Sequence, residues 1–347
     1  ACQSRQSPYA GWYEFTSWPG VYKCWWGIKT LPAVREEAES YLDYIIDGPD
    51  SVVRRWLRAG ASGWRLDVAD ELPDWFIRKI RAAAEETKPD AVLLGEVWED
   101  ASNKIAYSKR RKYLLGDELH GVMNYPFRTA LLAYLQGGDA DGFREAMETL
   151  RENYPPAAFS SLMNFLGTHD TPRILTVLGA DRIPESKEER AIYRLSPAQR
   201  QRGLELVSLT ALVLFTFPGS PTVYYGDEIG LEGWEDPFNR GTYSWESGDR
   251  ELLAYFQRLG ALHRSCPPLR EGSIQWLYTS GPLLIFAREL EKSRLITVLN
   301  ASDQERELPL SEPKVRNLLT GAVLSPEDGR LRLPPRTGLL LTEDCPG

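Results

Sequence analysis

Apolar positions between residues 49 and 267 recur at two alternating spacings. Val52, Val53, Trp56 and Leu57 fall at helical spacing behind Asp50 and Ser51, either of which can cap the helix, and Gly60 ends the run. A strand-like run follows at 63–68. Pro73 opens a second helical stretch to about Thr87, Lys88-Pro89 closes it, and 91–95 is strand-like again. The rhythm continues with a strand near 119–124, helices near 127–136 and 141–153, and a strand ending at Leu166. A helix at 197–215 behind Ser196-Pro197, a strand at 222–225 and a helix at 251–263 complete it. Strands separated by helices at this spacing predict a parallel βα architecture.

Beyond Cys266-Pro267-Pro268 the pattern changes to short β runs at 283–286, 295–299 and 338–341, so 268–347 reads as a separate antiparallel β-sandwich. Residues 1–48 hold many aromatics and turn formers with weak periodicity and read as an irregular excursion. The βα region, 49–267, contains five strands, whereas a closed barrel takes about eight because strand number, tilt and shear must agree. The expected fold class is therefore α/β: a partial (β/α)8 TIM barrel of about five units, then a C-terminal antiparallel β-sandwich. Since a helix precedes the first strand, the absent βα units are expected upstream of residue 1, with 1–48 as an insertion after the third strand. An open parallel edge would invite self-association.

Composition narrows the function classes. A net charge of -8 over 347 residues and a pI near 5.2 offer no basic stripe for phosphates, which argues against nucleic acid. Eleven Trp and sixteen Tyr suit core packing and stacking on the apolar faces of sugar rings. Cys2, Cys24, Cys266 and Cys345 include no C-x-x-C pair and read as free thiols, with three disulfide pairings open in an oxidising compartment. The longest helical candidate is broken by Ser208, Thr210 and Thr216, so no membrane span is expected. The first residues lack the apolar core of a signal peptide and an initiator Met, leaving localisation open between cytoplasmic and secreted.

Three acids close apolar runs: Asp67 after 63–66, Glu96 after 91–95, and Asp170 after 162–169. The C-terminal end of a buried parallel strand is where βα loops build sites. One acid there is more often a helix cap, but three, with Arg65 and His169 beside them, point to glycosidic-bond chemistry. Retaining hydrolysis takes one carboxylate to attack the anomeric carbon and one carboxylic acid to protonate the leaving oxygen, about 5–5.5 Å apart. Arg65 precedes Asp67 by two residues, on the same side of a strand, where its charge favours an ionised partner. Gly95 and Trp98 flank Glu96 and suggest a partly desolvated donor. Trp98 has two readings, a sugar-stacking ring or rim packing.

From about Ser7 onward the chain resembles the alpha-amylase superfamily of retaining alpha-glucan hydrolases, in its neopullulanase and amylopullulanase-like branch. Gly63-Trp64-Arg65-Leu66-Asp67-Val68-Ala69-Asp70-Glu71 is similar to the nucleophile segment, and Gly95-Glu96-Val97-Trp98 to the acid/base segment. Asn164-Phe165-Leu166-Gly167-Thr168-His169-Asp170-Thr171-Pro172-Arg173 is similar to the segment that stabilises the transition state. Val122-Met123-Asn124-Tyr125-Pro126-Phe127 and the run 219–230 also resemble family segments, in the family's order. The resemblance implies Asp67 as nucleophile, held ionised by Arg65, Glu96 as acid/base, and Asp170 as transition-state stabiliser. Arg65, Trp98, His169 and Arg173 are expected to bind substrate, an alpha-glucan oligosaccharide or polysaccharide.

One departure stands out. The family carries an Asn-His pair and an Asp at the end of the third strand, which bind the reacting sugar and, in many members, calcium. Nothing before Asp67 supplies them, since His120, His169 and His263 are the only histidines. Cys24-Trp25-Trp26-Gly27-Ile28-Lys29-Thr30-Leu31-Pro32 resembles the end of the family's inserted domain, so 1–48 reads as its remnant. No metal site is assigned to this chain, and calcium stays open for a full-length protein. Two functional classes remain: a hydrolase of α-1,4 glucosidic bonds, with α-1,6 bonds as a second candidate, weak or inactive as this isolated chain, and a glucan-binding or scaffold fragment without catalysis.

Overall fold

The computed structural model describes residues 1–343, so Cys345 lies outside the described residues. Cys2, Cys24 and Cys266 are free thiols. The chain forms two compact units, 1–96 with 101–120, and 97–100 with the chain from 121 onward.

The first unit opens with a short antiparallel pair, β1 (Phe15–Ser17) and β2 (Val21–Tyr22). Helix α1 (Val52–Arg58) follows, buried through Val53 and Leu57. Its expected cap is a correction: the Ser51 hydroxyl donates to the Ile46 carbonyl at 2.9 Å, and Asp50 pairs with Arg55. Gly60, at φ +113°, ends the helix in a conformation that glycine tolerates. Strand β3 (Gly63–Leu66) and strand β4 (Val92–Gly95) lie parallel in register, Gly63 opposite Val92 and Leu66 opposite Gly95. Between them runs α2 (Asp74–Thr87), whose Phe76, Ile77, Ile80, Ala83 and Ala84 form one buried stripe. A small hairpin of β5 (Ile105–Ala106) and β6 (Lys109–Arg110) completes the unit.

Close backbone approach explains Gly63. A Cβ there would sit 2.0 Å from the Val92 carbonyl oxygen across the β3–β4 ladder. Gly63→Ala is therefore expected to cost about 1–3 kcal/mol through forced displacement of the strand. A denaturant midpoint equal to that of the parent would overturn this.

In the second unit, β7 (Gly121–Val122) leads to Met123, which bridges Met163 in parallel. Strand β8 (Met163–Phe165) pairs in parallel with β9 (Ser220–Thr222). The strand expected at 222–225 thus begins and ends earlier. Val223, Tyr224 and Tyr225 have high strand propensity, but β8 ends at Phe165, opposite Thr222, and leaves them no partner.

The four longest helices of this unit start on side-chain caps that satisfy otherwise orphaned amides. Asn124 accepts from Phe127 N–H ahead of α3 (Tyr125–Gly137), and Asp139 accepts from Gly142 N–H ahead of α4 (Ala140–Asn153). Ser196 and Gln199 form a reciprocal capping box at α5 (Pro197–Thr216), and Asp249 caps α6 (Arg250–Ser265). Among the described residues no helix is long and apolar enough to cross a membrane.

The C-terminal region contains a six-stranded antiparallel sheet and a separate pair. The sheet comprises β10 (Ser273–Ser280), β11 (Leu283–Leu290), β12 (Ser293–Asn300), β14 (Val315–Asn317), β15 (Val323–Leu324) and β17 (Thr337–Thr342). Its strand order is β10-β11-β12-β17-β14-β15, and the pair is β13 (Arg306–Pro309) with β16 (Arg330–Leu333). Leu308, Leu331 and Leu333 of the pair join Ile285, Ile296, Val298 and Leu341 of the sheet in one core. The sheet's other face is also covered: a Cβ on Gly338 would touch Leu209 and Leu212 of α5, and Phe286 meets Phe217. Burial on both faces explains why β11 and β12 are continuous apolar runs rather than strict alternations.

Candidate active site

In the first unit, two carboxylates follow the ends of adjacent parallel strands. Leu66 is opposite Gly95, so Asp67 and Glu96 are the first residues beyond the β3–β4 ladder. Neighbouring strands lie about 4.8 Å apart, of the order that a double displacement requires. Arg65 touches both acids: one guanidinium nitrogen pairs with Asp67 and Nη2 lies 3.0 Å from Glu96 Oε2. The Asp67 side chain is 74% exposed, whereas that of Glu96 is 4% exposed. One acid is thus accessible for attack and the other shielded.

Glu96, expected in a partly desolvated setting, is buried, and Arg65 and the Val68 N–H, at 2.8 Å from Oε2, offset its lost hydration. Val68 holds φ +38°, a left-handed conformation uncommon for a β-branched residue. That turn aims its amide back at Glu96, and Ala69 N–H bonds the Glu96 carbonyl at 3.1 Å. Strain beside a candidate nucleophile is a frequent mark of a functional loop. Gly95 allows close packing before Glu96, since a Cβ there would sit 2.4 Å from a Leu119 methyl.

In the second unit, β8 leads into the loop that carries His169 and Asp170. His169 Nε2 lies 3.1 Å from Asp170 Oδ2, and Arg240 Nη2 lies 3.6 Å from Oδ1. Both loop side chains are partly exposed. Thr168 Oγ1 accepts from Asp170 N–H at 3.1 Å, and Thr171 Oγ1 accepts from Thr168 N–H at 2.9 Å. Asn239, fully buried, donates to the carbonyls of Thr168, His169 and Thr171 at 3.3, 2.8 and 2.8 Å. Asn239 and Arg240 were not legible as site residues, because only the fold brings their turn to a loop about 70 residues earlier. Trp98 is half-exposed and stacks on Tyr125, with centroids 4.2 Å apart at 15°.

Arg173, expected to bind substrate, is 1% exposed, and its guanidinium is held by protein groups. It pairs with buried Asp227 at 3.2 Å, donates to the Tyr225 carbonyl, and lies 4.2 and 4.6 Å from the ring centroids of Tyr224 and Tyr225. Its work is to hold the loop after Asp170 against the segment after β9. Gly167 makes room for this pair, since a Cβ there would lie 2.5 Å from Asp227 Oδ2. Among the described residues no three His, Cys, Asp or Glu side chains are grouped to hold a metal ion.

The family of the alpha amylase catalytic domain matches residues 13–260. The chain is 34% identical over 309 residues to an amylopullulanase of Thermoanaerobacter thermohydrosulfuricus, covering 82% of this chain and 20% of that protein. It is 30% identical over 327 residues to neopullulanase 2 of Thermoactinomyces vulgaris, covering 90% and 50%. Among solved structures, Ttha1563 from Thermus thermophilus superposes with a TM-score of 0.80 at 31% identity, over 98% of this chain and 72% of that one. The chain therefore spans half or less of these two curated relatives. The likeness extends to a TIM-barrel glycoside hydrolase fold with a C-terminal antiparallel sheet.

Proposed function

This chain belongs to the alpha-amylase family of glycoside hydrolases, and we propose that its residues carry the retaining chemistry of an α-glucan hydrolase. The five short strands β3, β4, β7, β8 and β9 are read as five of the barrel's strands. The substrates are α-1,4-linked starch or maltodextrin chains, with the α-1,6 links of pullulan as the second class to test. The observation that carries this reading is the in-register end of β3 and β4, with Arg65 touching both acids.

In the first step an Asp67 oxygen attacks C1 of the sugar, the glycosidic bond breaks, and the leaving oxygen takes the Glu96 proton. A glycosyl ester on Asp67 results. In the second step Glu96 takes a proton from water, whose oxygen attacks C1 and releases Asp67 with the original anomeric configuration. Arg65 steadies the carboxylate charge that disappears and returns in each cycle. Asp170 and His169 are assigned to hydroxyls of the distorted ring, and Trp98 to stacking on a neighbouring sugar.

The test is reducing-sugar release from soluble starch and from pullulan, parent against Glu96→Gln, with NMR of the first-formed anomer. Weak release of the α-anomer by the parent alone is the expected result. Equal background from both proteins would remove catalysis and leave glucan binding without it. A β-anomer would replace double displacement by inversion.

A further inference from the structure

Four residues beyond Asp67, Glu71 receives two hydrogen bonds on one oxygen, from Trp26 Nε1 at 3.0 Å and from the Tyr107 hydroxyl at 2.5 Å. Both rings are open to solvent, 70% and 67% exposed, although burying such surface is favourable. Both residues also hold left-handed backbone, φ +45° and +51°, which is unusual for bulky side chains. Tyr107 and Ser108, at φ +62°, are the two turn residues between β5 and β6. A turn with both angles positive is ordinarily built from Asn-Gly. This hairpin instead displays an aromatic ring at a conformational cost. Trp25 stacks under Trp26 at 4.3 Å and 10°, fixing the plane of its indole.

Beside Tyr107 and Glu71 lies a polar cavity of about 450 Å³, lined also by Asp70, Asp74, Arg78 and Lys109. A flat apolar face bordered by charged donors and acceptors matches a pyranose ring, which offers C–H groups on one face and hydroxyls around its rim. We propose that Trp26 and Tyr107, tied together through Glu71, form a platform for a further glucosyl unit of the α-glucan. This inference rests on the α-glucan reading above and adds a subsite to it. Trp26 and Tyr107 contact the sugar, while Glu71 positions both rings.

The test is calorimetric binding of maltohexaose to the Glu96→Gln protein, which retains the ligand uncut, with retardation in starch-containing native gels alongside. Trp26→Ala and Tyr107→Ala are each expected to weaken binding roughly tenfold. Trp26→Phe and Tyr107→Phe, which keep a ring, are expected to lose less. Parent-like affinity in both alanine variants, equal losses in the phenylalanine variants, or no binding by Glu96→Gln itself would each overturn the platform. Starch hydrolysis by Glu96→Gln at the parent rate would instead overturn the catalytic assignment, while the affinities still decide the platform.

Discussion

Glu96→Gln is expected to lower kcat/KM on soluble starch by roughly a hundred- to ten-thousand-fold, the usual contribution of a positioned acid/base, and Asp67→Asn by at least as much. The two losses have different causes and separate experimentally. The amide that replaces the carboxyl in the first variant has no proton to give to a poor sugar leaving group, but fluoride leaves without protonation. On α-glucosyl fluoride, Glu96→Gln is expected to recover its first step and then stall, because no base activates the water of the second. A glycosylated peptide containing Asp67 should accumulate and be visible by mass spectrometry. Asp67→Asn has no carboxylate to attack with and is expected to recover nothing on the fluoride.

Arg65 explains why the amides are the substitutions of choice. It touches both carboxylates, and each amide keeps the size of the acid while removing one negative charge. Starch rates equal to the parent in both variants would refute the assignment. A fluoride profile with the two variants exchanged would exchange their roles.

Arg173→Leu is expected to destabilise the protein by about 3–5 kcal/mol near pH 8, because it leaves a buried carboxylate without its countercharge. Burial pushes the Asp227 carboxyl up from 3.8 to about 7, against the pull of Arg173. The native state therefore holds this proton more tightly than the unfolded chain does. Stability from that proton is complete below pH 3.8 and is lost as pH rises through 7. Without Arg173 the upward push goes unopposed at that contact, so the variant's deficit relative to the parent should be larger at pH 8 than at pH 5. Urea midpoints at both pH values measure this.

Adding Asp227→Asn to Arg173→Leu should recover part of the loss, since a neutral amide costs less to bury than an unpaired charge. A deficit independent of pH, or a double variant less stable than Arg173→Leu, would assign the effect to packing on Tyr224 and Tyr225.

Much of the βα order was legible because the signals are local. Apolar runs bounded by Gly60, Pro73 and Lys88-Pro89 mark helices and strands within a few residues of where they occur. The capping box at Ser196 and Gln199 lies wholly within its own helix start. Placement of Asp67 and Glu96 just past strand ends follows from the same local pattern. The Ser51 cap failed for a related reason: a hydroxyl with two possible partners in reach chooses by geometry, and the turn before α1 offered the Ile46 carbonyl.

By itself, then, the sequence determined the alternation of helices and strands, the family, and which acids end which strands, since all of these reside in short contiguous segments. Tertiary structure decided the rest. It set β3 and β4 in the register that makes Asp67 and Glu96 neighbours, buried Arg173 against Asp227 54 residues away, and clamped the Asp170 loop with Asn239. It also covered both faces of the C-terminal sheet and left Trp26 and Tyr107 exposed on Glu71. Burial and charge pairing depend on which distant segments meet, and a side chain's identity carries no record of its partner.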